Sequence, residues 1–206
     1  MQGSSSPPLS ITHPELARQA HGWDPTTVTF GSPKRREWID ELGHIWSALV
    51  VQRTNRLHPT GCPVCNGKVV LAGFNDLASI NPELAKQAHG WDPTTVTWGS
   101  GKRREWRCDE GHNWSASVCS RSHGNGCPYC TRLIADPGKT DLATENPQLA
   151  REAHGWDPTT VLPGSNKRRE WMCTKGHIWV AMVSERSRGT GCPVCYDIRH
   201  RHLDEC

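Results

Sequence analysis

The stretch WRCDEGHNW, Trp106 to Trp114, decides the fold because the chain carries it three times. It returns as WMCTKGHIW at Trp171 to Trp179, and it stands earlier as WIDELGHIW at Trp38 to Trp46. The sequence around it repeats as well, with a period of 68 and then 65 residues. Such self-similarity indicates an array of modules, each of them one small supersecondary unit.

The repetition divides the chain of 206 residues into three modules, called repeats 1, 2 and 3 below. They run through residues 11–66, 67–131 and 132–196, and the extra length of repeat 1 lies between Trp46 and Cys62. We expect residues 1–10 to be disordered and residues 197–206 to form a short charged tail. The oligomeric state is open.

Each repeat predicts a short helix before its hairpin. In repeat 2, Asn81 is a good N-cap, Pro82 suits the first helical position, and Gly90 follows as a stop signal. The pattern therefore predicts a helix over residues 82–89.

The sequence then changes to a period of two, which is typical of a half-buried β-hairpin. Trp106 and Cys108 fall on one face, and His112 and Trp114 share that face beyond the tip. We predict small α+β modules, each a short helix, a hairpin and a C-P-x-C knuckle. The tryptophans expected in their cores are Trp38, Trp46, Trp106, Trp114, Trp171 and Trp179.

The outer face of the hairpin is polar in repeat 2 and apolar in the other two repeats. Its apolar residues are Ile39, Ile45, Leu49 and Val51 in repeat 1, and Met172, Ile178, Val180 and Met182 in repeat 3. Apolar outer faces indicate that the modules pack together or that a partner covers them.

Cysteine and histidine recur with the spacing of metal ligands, C-x3-H-x14-C-x2-C. The complete sets are Cys108, His112, Cys127 and Cys130 in repeat 2, and Cys173, His177, Cys192 and Cys195 in repeat 3. Zn²⁺ favours four thiolate and imidazole ligands in a tetrahedron, and four protein ligands leave no open position. We therefore predict two structural zinc sites.

Repeat 1 departs from this pattern, because an aspartate stands where the other repeats have their first cysteine. Its candidate set is Asp40, His44, Cys62 and Cys65. A carboxylate can ligate zinc, so this set could hold a third ion. One alternative is a degenerate site. The other is an open zinc with a bound water, for which Glu37 and Glu41 would be bases by proximity only.

These motifs resemble a bacterial-type family of tandem zinc-ribbon, or treble-clef, repeats, known as a probable zinc-binding domain. The matching features are NPELA, GS…KRREW, W-x-C-x-x-x-G-H-x-W and G-C-P-x-C, from about His13 to Cys195. Members of the family occur as repeat arrays and alongside nuclease-like domains. The resemblance thus implies association with nucleic acid, DNA ahead of RNA, but it carries over no cleavage activity.

A cationic triplet enters the first strand of every hairpin, and one arginine follows the second strand. The triplets are Lys34, Arg35 and Arg36; Lys102, Arg103 and Arg104; and Lys167, Arg168 and Arg169. The later arginines are Arg53, Arg121 and Arg186. Such cations could neutralise backbone phosphates, so we predict that these residues bind nucleic acid. The alternative is an ordinary solvated strand end, partly offset by Glu37, Glu105 and Glu170.

Composition bounds the function further. The net charge is +3, and two bound zinc ions with their thiolates would leave about +1, so total charge does not indicate a nucleic-acid partner. The rival function is a protein-interaction scaffold or an accessory subunit of a nucleic-acid-processing complex. The apolar outer faces favour a protein-binding role. We expect no enzyme, because no P-loop, G-x-S-x-G or H-E-x-x-H string appears. The histidines of the three AHGW motifs, His21, His89 and His154, are expected to cap helix ends.

The cysteine pattern also bears on location. Six of the ten cysteines form C-P-x-C pairs beside a G-H element, which indicates metal ligation in a reducing compartment rather than disulfides. The sequence shows no signal peptide and no apolar run long enough for a membrane span. We expect a cytoplasmic protein, with association to the nucleoid as one option, and no membrane partner.

Overall fold

The computed structural model describes residues 6–201, and side chains up to residue 198. It forms two compact units. One contains the residues up to Trp106 together with Ser115–Asn125, and the other contains Arg107–Trp114 together with the residues from Gly126 onward. Within the described residues, none of the helices is long and apolar enough to cross a bilayer.

The three repeats share one order of elements. Repeat 1 has α1 (Leu9–Thr12), α2 (Pro14–Ala17), β1 (Arg35–Ile39), β2 (Ile45–Leu49) and α3 (Val50–Arg53). Repeat 2 has α4 (Leu77–Ile80), α5 (Pro82–Ala85), β3 (Arg103–Arg107), β4 (Asn113–Ser117) and α6 (Val118–Ser122). Repeat 3 has α7 (Leu142–Glu145), α8 (Pro147–Ala150), β5 (Arg168–Met172), β6 (Ile178–Met182), α9 (Val183–Ser187) and α10 (Pro193–Arg201). A 3-10 turn stands before each hairpin, at Pro25–Thr27, Pro93–Thr95 and Pro158–Thr160.

The helix predicted over residues 82–89 is wrong in length, because α5 ends at Ala85. Its start is confirmed, since the Asn81 side chain accepts a hydrogen bond from the backbone N–H of Leu84. Beyond the helix, Ala88 forms an isolated antiparallel bridge with Trp106 of β3.

This bridge also corrects the role expected of the repeated histidines. The backbone N–H of His89 donates to the carbonyl of Glu105 at 3.1 Å, four residues past the end of α5. His21 and His154 make the same bond to Glu37 and Glu170. These histidines therefore belong to the sheet edge and do not cap the helices.

The ends of the chain differ from the expectation too. Leu9 is fully buried and its N–H donates to Val28 at 2.7 Å, so repeat 1 begins before residue 11 and residues 8–10 are ordered. Leu77 and Leu142 occupy the same buried place in the other repeats. At the other end, α10 continues to residue 201, into the expected tail. Residues 1–5 and 202–206 of the two expected terminal segments lie outside the described residues.

The three hairpins form as the alternation predicts. Strands β1 and β2 pair with Trp38 opposite Trp46, and β5 and β6 pair with Trp171 opposite Trp179. The first tryptophan of each hairpin is fully buried, and the valine that starts the following helix is buried beside it. These residues are Trp38, Trp106, Trp171, Val50, Val118 and Val183. Each module thus has a small core of indoles and short aliphatic side chains.

Candidate metal centres

The first two candidate ligands of each set lie at the tip of the hairpin. In repeat 2 the backbone N–H of Gly111 donates to the carbonyl of Cys108 at 2.9 Å and closes a tight turn. Gly111 has φ +83°, a left-handed conformation that side chains with a Cβ rarely adopt. The turn returns the chain so that Cys108 Sγ and His112 Nδ1 lie 3.3 Å apart.

The second pair comes from the C-P-x-C knuckle. In repeat 2 the N–H of Thr131 donates to Cys127 at 2.9 Å, and that of Leu133 donates to Pro128 at 2.8 Å. These bonds wind the knuckle into a turn. The Sγ atoms of Cys127 and Cys130 therefore approach His112 Nδ1 at 3.6 and 3.4 Å.

The same four-point arrangement recurs in repeat 3. Its histidine Nδ1 lies 3.4, 3.7 and 3.3 Å from the three sulfurs, in the order Cys173, Cys192 and Cys195. In each of the three repeats, the four ligand atoms all lie within 4.8 Å of one another. Each set could therefore hold one metal ion, and the predicted ligands are brought together.

Repeat 1 assembles the same cluster with Asp40. Its Oδ2 lies 2.9 Å from His44 Nδ1 and 3.2 Å from Cys65 Sγ, while Cys62 Sγ lies 3.7 Å from the same imidazole nitrogen. The other oxygen, Oδ1, accepts the backbone N–H of His44 at 2.9 Å. One oxygen is thus anchored to the turn and the other points at the three remaining ligands.

The members of a ligand set differ in pKa. Burial disfavours the Cys108 thiolate, but hydrogen bonds from the backbone of His112 and the thiol of Cys130 outweigh burial and lower the pKa of Cys108 to about 7. Burial and the hydrogen bond to Cys108 raise the pKa of Cys130 to about 12. In repeat 1, burial is again outweighed by hydrogen bonds from Cys62 and His44, which lower the pKa of Asp40. Asp40 therefore supplies the negative charge that the more acidic thiolate supplies in repeat 2.

A carboxylate that contacts the metal cluster of repeat 2, although it lies in the sequence of repeat 3, was not predicted. Asp136 Oδ2 lies 2.8 Å from His112 Nε2, so the imidazole N–H can donate to it while Nδ1 faces the sulfurs. A partner of this kind fixes the tautomer and orientation of a metal-ligating histidine. At the cluster of repeat 1, the ring of Phe74 from the start of repeat 2 packs edge-on against His44 instead, at 4.6 Å between centroids. Only its place six residues after the knuckle marks Asp136 in the sequence.

The family model described as "Probable Treble clef zinc finger domain" matches residues 15–68, 83–133 and 149–197. These matches cover about three quarters of the chain and coincide with the three metal clusters. The chain belongs to this treble-clef zinc-finger family. No curated protein matches it.

The cationic triplets lie at one corner of each treble-clef module. Lys102 and Arg103 are exposed and Arg104 is partly buried, and the same order holds in repeats 1 and 3. The Arg103 guanidinium donates to the Ser115 carbonyl on the neighbouring strand at 2.7 Å. Among residues whose side chains are described, the triplet cations make no ion pair with a carboxylate.

The prediction that the arginines after the second strand bind nucleic acid is wrong, because the structure places these residues in the core. Arg53, Arg121 and Arg186 are only 5%, 8% and 7% exposed. The guanidinium of Arg53 lies 5.0 Å from the ring centroids of both Trp38 and Trp46. It also donates to the backbone of Thr60 and the side chain of Gln19. Buried arginines held in this way present no guanidinium to a phosphate, so these three residues are not nucleic-acid contacts.

Proposed function

We propose that each module binds one structural Zn²⁺ and that the array uses its cationic corners to bind nucleic acid without cleaving it. With Zn–S and Zn–N bonds of about 2.3 and 2.05 Å, a tetrahedral site has S–S edges of about 3.8 Å and S–N edges of about 3.6 Å. The Cys108–Cys130 and Cys173–Cys195 distances are 3.8 and 3.9 Å, and the sulfur–nitrogen distances span 3.3 to 3.7 Å. The zinc assignment in repeats 2 and 3 is supported by this agreement.

Repeat 1 fits a zinc ion with a carboxylate ligand. Its oxygen–nitrogen and oxygen–sulfur distances of 2.9 and 3.2 Å are somewhat shorter than the tetrahedral edges of about 3.4 and 3.5 Å. A displacement of a few tenths of an ångström would open them to the edges of a zinc site. Four protein ligands close each set, so we propose a structural role for all three ions.

The observation that carries the nucleic-acid proposal is the recurrence of unpaired cations at one corner of every module. Ion pairing within the chain would have satisfied these charges, as it does for Lys86 with Glu83 at 2.6 Å. Unpaired cations keep their full attraction for an anionic polymer. Binding to nucleic acid then releases counterions, and its affinity falls steeply with salt.

A salt titration with matched variants tests this proposal. The zinc-loaded chain is titrated against labelled duplex DNA, single-stranded DNA and RNA by fluorescence anisotropy. In the first variant, Arg36, Arg104 and Arg169 are changed to alanine. Because each phosphate contact contributes about 0.9 to the slope of log K against log salt, losing three contacts should reduce its magnitude by about 2.7.

The chain offers a control with the same change in charge. Arg18, Lys86 and Arg151 stand at one equivalent place after the second helix of each repeat, and they are changed to alanine together. This variant should keep the wild-type slope apart from a small effect of net charge. Absence of wild-type binding at low salt would refute the nucleic-acid proposal, and equal slopes for the two variants would refute the proposed surface.

The rival function, a protein-interaction scaffold, is favoured by one observation. On the outer face of the hairpin in repeat 3, Met172, Ile178 and Val180 are 42%, 54% and 50% exposed. Ile45 in repeat 1 is 53% exposed. Exposed apolar side chains clustered on a strand pair are typical of protein-binding surfaces. The same salt titration separates the two functions, because an apolar surface predicts no salt-dependent nucleic-acid binding.

A further inference from the structure

A shallow cleft of about 330 Å³ lies beside the triplet of repeat 2. The His89-Gly90-Trp91 turn lines one side, and Thr95 of the 3-10 turn and Arg103–Glu105 of β3 line the rest. The cleft lies within a single compact unit. One surface depression is thus lined by a histidine, a tryptophan and two arginines.

The guanidinium of Arg104 is held in place at this cleft. It lies 5.9 Å from the ring centroid of Trp91 and donates to the carbonyl of Arg103 at 3.3 Å. Trp91 is itself fixed, because its indole N–H donates to Glu105 at 2.6 Å and its ring packs edge-on against Trp106 at 5.1 Å. A guanidinium that is already ordered loses little entropy on binding an oxyanion, and its planar fork matches phosphate geometry.

The same arrangement stands in the other two repeats. Arg36 lies 5.8 Å from the ring of Trp23, and Arg169 lies 6.0 Å from the ring of Trp156. Both indoles donate to the equivalent glutamate carbonyl at 2.6 Å. The histidine that precedes each glycine keeps the same backbone bond.

The fold explains most residues of this repeated turn but not the imidazole. Gly90 has φ +74°, Asp92 caps the 3-10 turn through the N–H of Thr94, and Trp91 packs on the core. The backbone bond of His89, by contrast, would be made by any residue except proline. His89 is exposed at the cleft, whereas His21 and His154 are partly buried, and histidine recurs at this place in all three modules. Among the described residues, the three imidazoles make no hydrogen bond, ion pair or ring contact that would explain their recurrence.

We propose that His21, His89 and His154 each donate a hydrogen bond to a backbone phosphate of nucleic acid, beside the stacked arginine of the same module. This inference rests on the proposed function and deepens it by naming the phosphate group as the bound chemistry. The arginine supplies a positive charge and a bidentate contact to the phosphate. The imidazole N–H donates a further hydrogen bond to the same phosphate from a second direction. Each module then holds one phosphate, which fixes the polymer without reading its bases.

The glutamate at the edge of the cleft provides a test, because the direction of the change in binding affinity can be predicted. Glu105 is exposed at the cleft, and its carboxylate repels a phosphate there. Replacing Glu37, Glu105 and Glu170 together with glutamine should therefore tighten binding by about fivefold at low salt, with the gain disappearing at high salt. If those carboxylates instead accepted hydrogen bonds from bases or sugars, the same variant would bind more weakly.

The direct experiment removes the three imidazoles. The variant His21→Ala, His89→Ala, His154→Ala is titrated against a labelled oligonucleotide and against the same sequence with a neutral methylphosphonate backbone. Affinity for the phosphodiester strand should fall by about tenfold or more, since three hydrogen bonds to charged groups are lost. His58→Ala with His123→Ala, two exposed histidines outside the cleft, should bind as the wild type does.

The outcomes separate the inference from the proposed function. If the wild type binds and the imidazole variant binds equally well, the phosphate contact is wrong while nucleic-acid binding stands. If the variant loses the same factor on the methylphosphonate strand, the histidines contact bases or sugars and the inference is wrong. Zinc content and tryptophan fluorescence verify folding. Should the triple variant fail to fold, His89→Ala alone is titrated against the same two strands, with a loss confined to the phosphodiester strand as support and unchanged binding as refutation.

Discussion

At the scale of single residues, the core of each module depends on an arginine between tryptophans. In repeat 3 the guanidinium of Arg186 lies 5.3 and 5.1 Å from the rings of Trp171 and Trp179 and pairs with Glu152. A guanidinium is weakly hydrated and stacks well on an indole, so it fills a space that a thin aliphatic core leaves open. Sequence alone predicted a surface cation here, because its partner stands 34 residues earlier in the chain.

Replacing this arginine tests its structural role. Arg121→Ala in repeat 2 should lower the free energy of unfolding by about 3 kcal/mol, because it removes the stacking on Trp106 and leaves the Gln87 side chain and the Asn125 carbonyl without their guanidinium. Urea unfolding of the zinc-loaded chain, followed by tryptophan fluorescence, measures the loss.

The matched control is Arg103→Ala, which removes an exposed arginine of the same repeat. Its effect should stay within about 0.5 kcal/mol, the usual range for a surface substitution. Equal losses for the two variants would contradict the assignment of Arg121 to the core.

At the scale of elements, the sequence predicted the features that depend on residues close together in the chain. The period of two from Trp106 onward predicted the hairpin, and the short C-x3-H and C-x2-C spacings predicted the two ligand pairs, because each depends on neighbours within a few residues. It overextended α5, because the end of that helix is set by the bridge between Ala88 and Trp106, a tertiary contact. It missed Asp136 for the same reason. An imidazole that reaches across 24 residues leaves no local signal.

The first helix of repeats 2 and 3 shows how a single side chain can start an element. Asp76 is fully buried and caps α4, accepting hydrogen bonds from the N–H and hydroxyl of Ser79 and from the N–H of Gly73. Asp141 caps α7 through Thr144 and Gly138 in the same way. Burial opposes ionisation of Asp76, but these hydrogen bonds outweigh it and lower its pKa.

This cap predicts a pH dependence of stability. Asp76→Ala should cost about 1 to 2 kcal/mol at pH 7. A carboxylate whose pKa is lowered by folding stabilises the fold above its unfolded pKa, about 3.9, and loses that contribution as the pH falls through the folded value. The difference between wild type and variant should therefore shrink below about pH 4. Unfolding of both proteins in matched buffers measures it, and a difference independent of pH would contradict the role of the ionised cap.

At the scale of the whole molecule, stability comes from three small cores, each closed by one ligand set. Only 35% of the residues are hydrophobic, and modules of this size rarely stay folded on apolar burial alone. A metal ion bound by each set would join the hairpin tip to the C-P-x-C knuckle of its module. Metal removal should therefore unfold the modules, because binding energy at such sites is folding energy.

The difference between the repeats predicts the order of metal loss. Native mass spectrometry should find three zinc ions in the wild type and two in Asp40→Ala, since that change removes one of four ligands in repeat 1. During titration with a chelator, repeat 1 should release its ion first, because a carboxylate is a harder ligand than the thiolate at the same place in repeats 2 and 3. An early partial change in tryptophan fluorescence would accompany this first loss.

Asp40→Cys is the matched variant, because it gives repeat 1 the ligand set of the other two repeats. It should still bind three ions and lose the early phase, so that the three modules release zinc in one range of chelator concentration. Three ions in Asp40→Ala would show that Asp40 is not a ligand. Only two ions in the wild type, rising to three in Asp40→Cys, would show instead that the repeat 1 cluster needs a third thiolate before it can hold zinc.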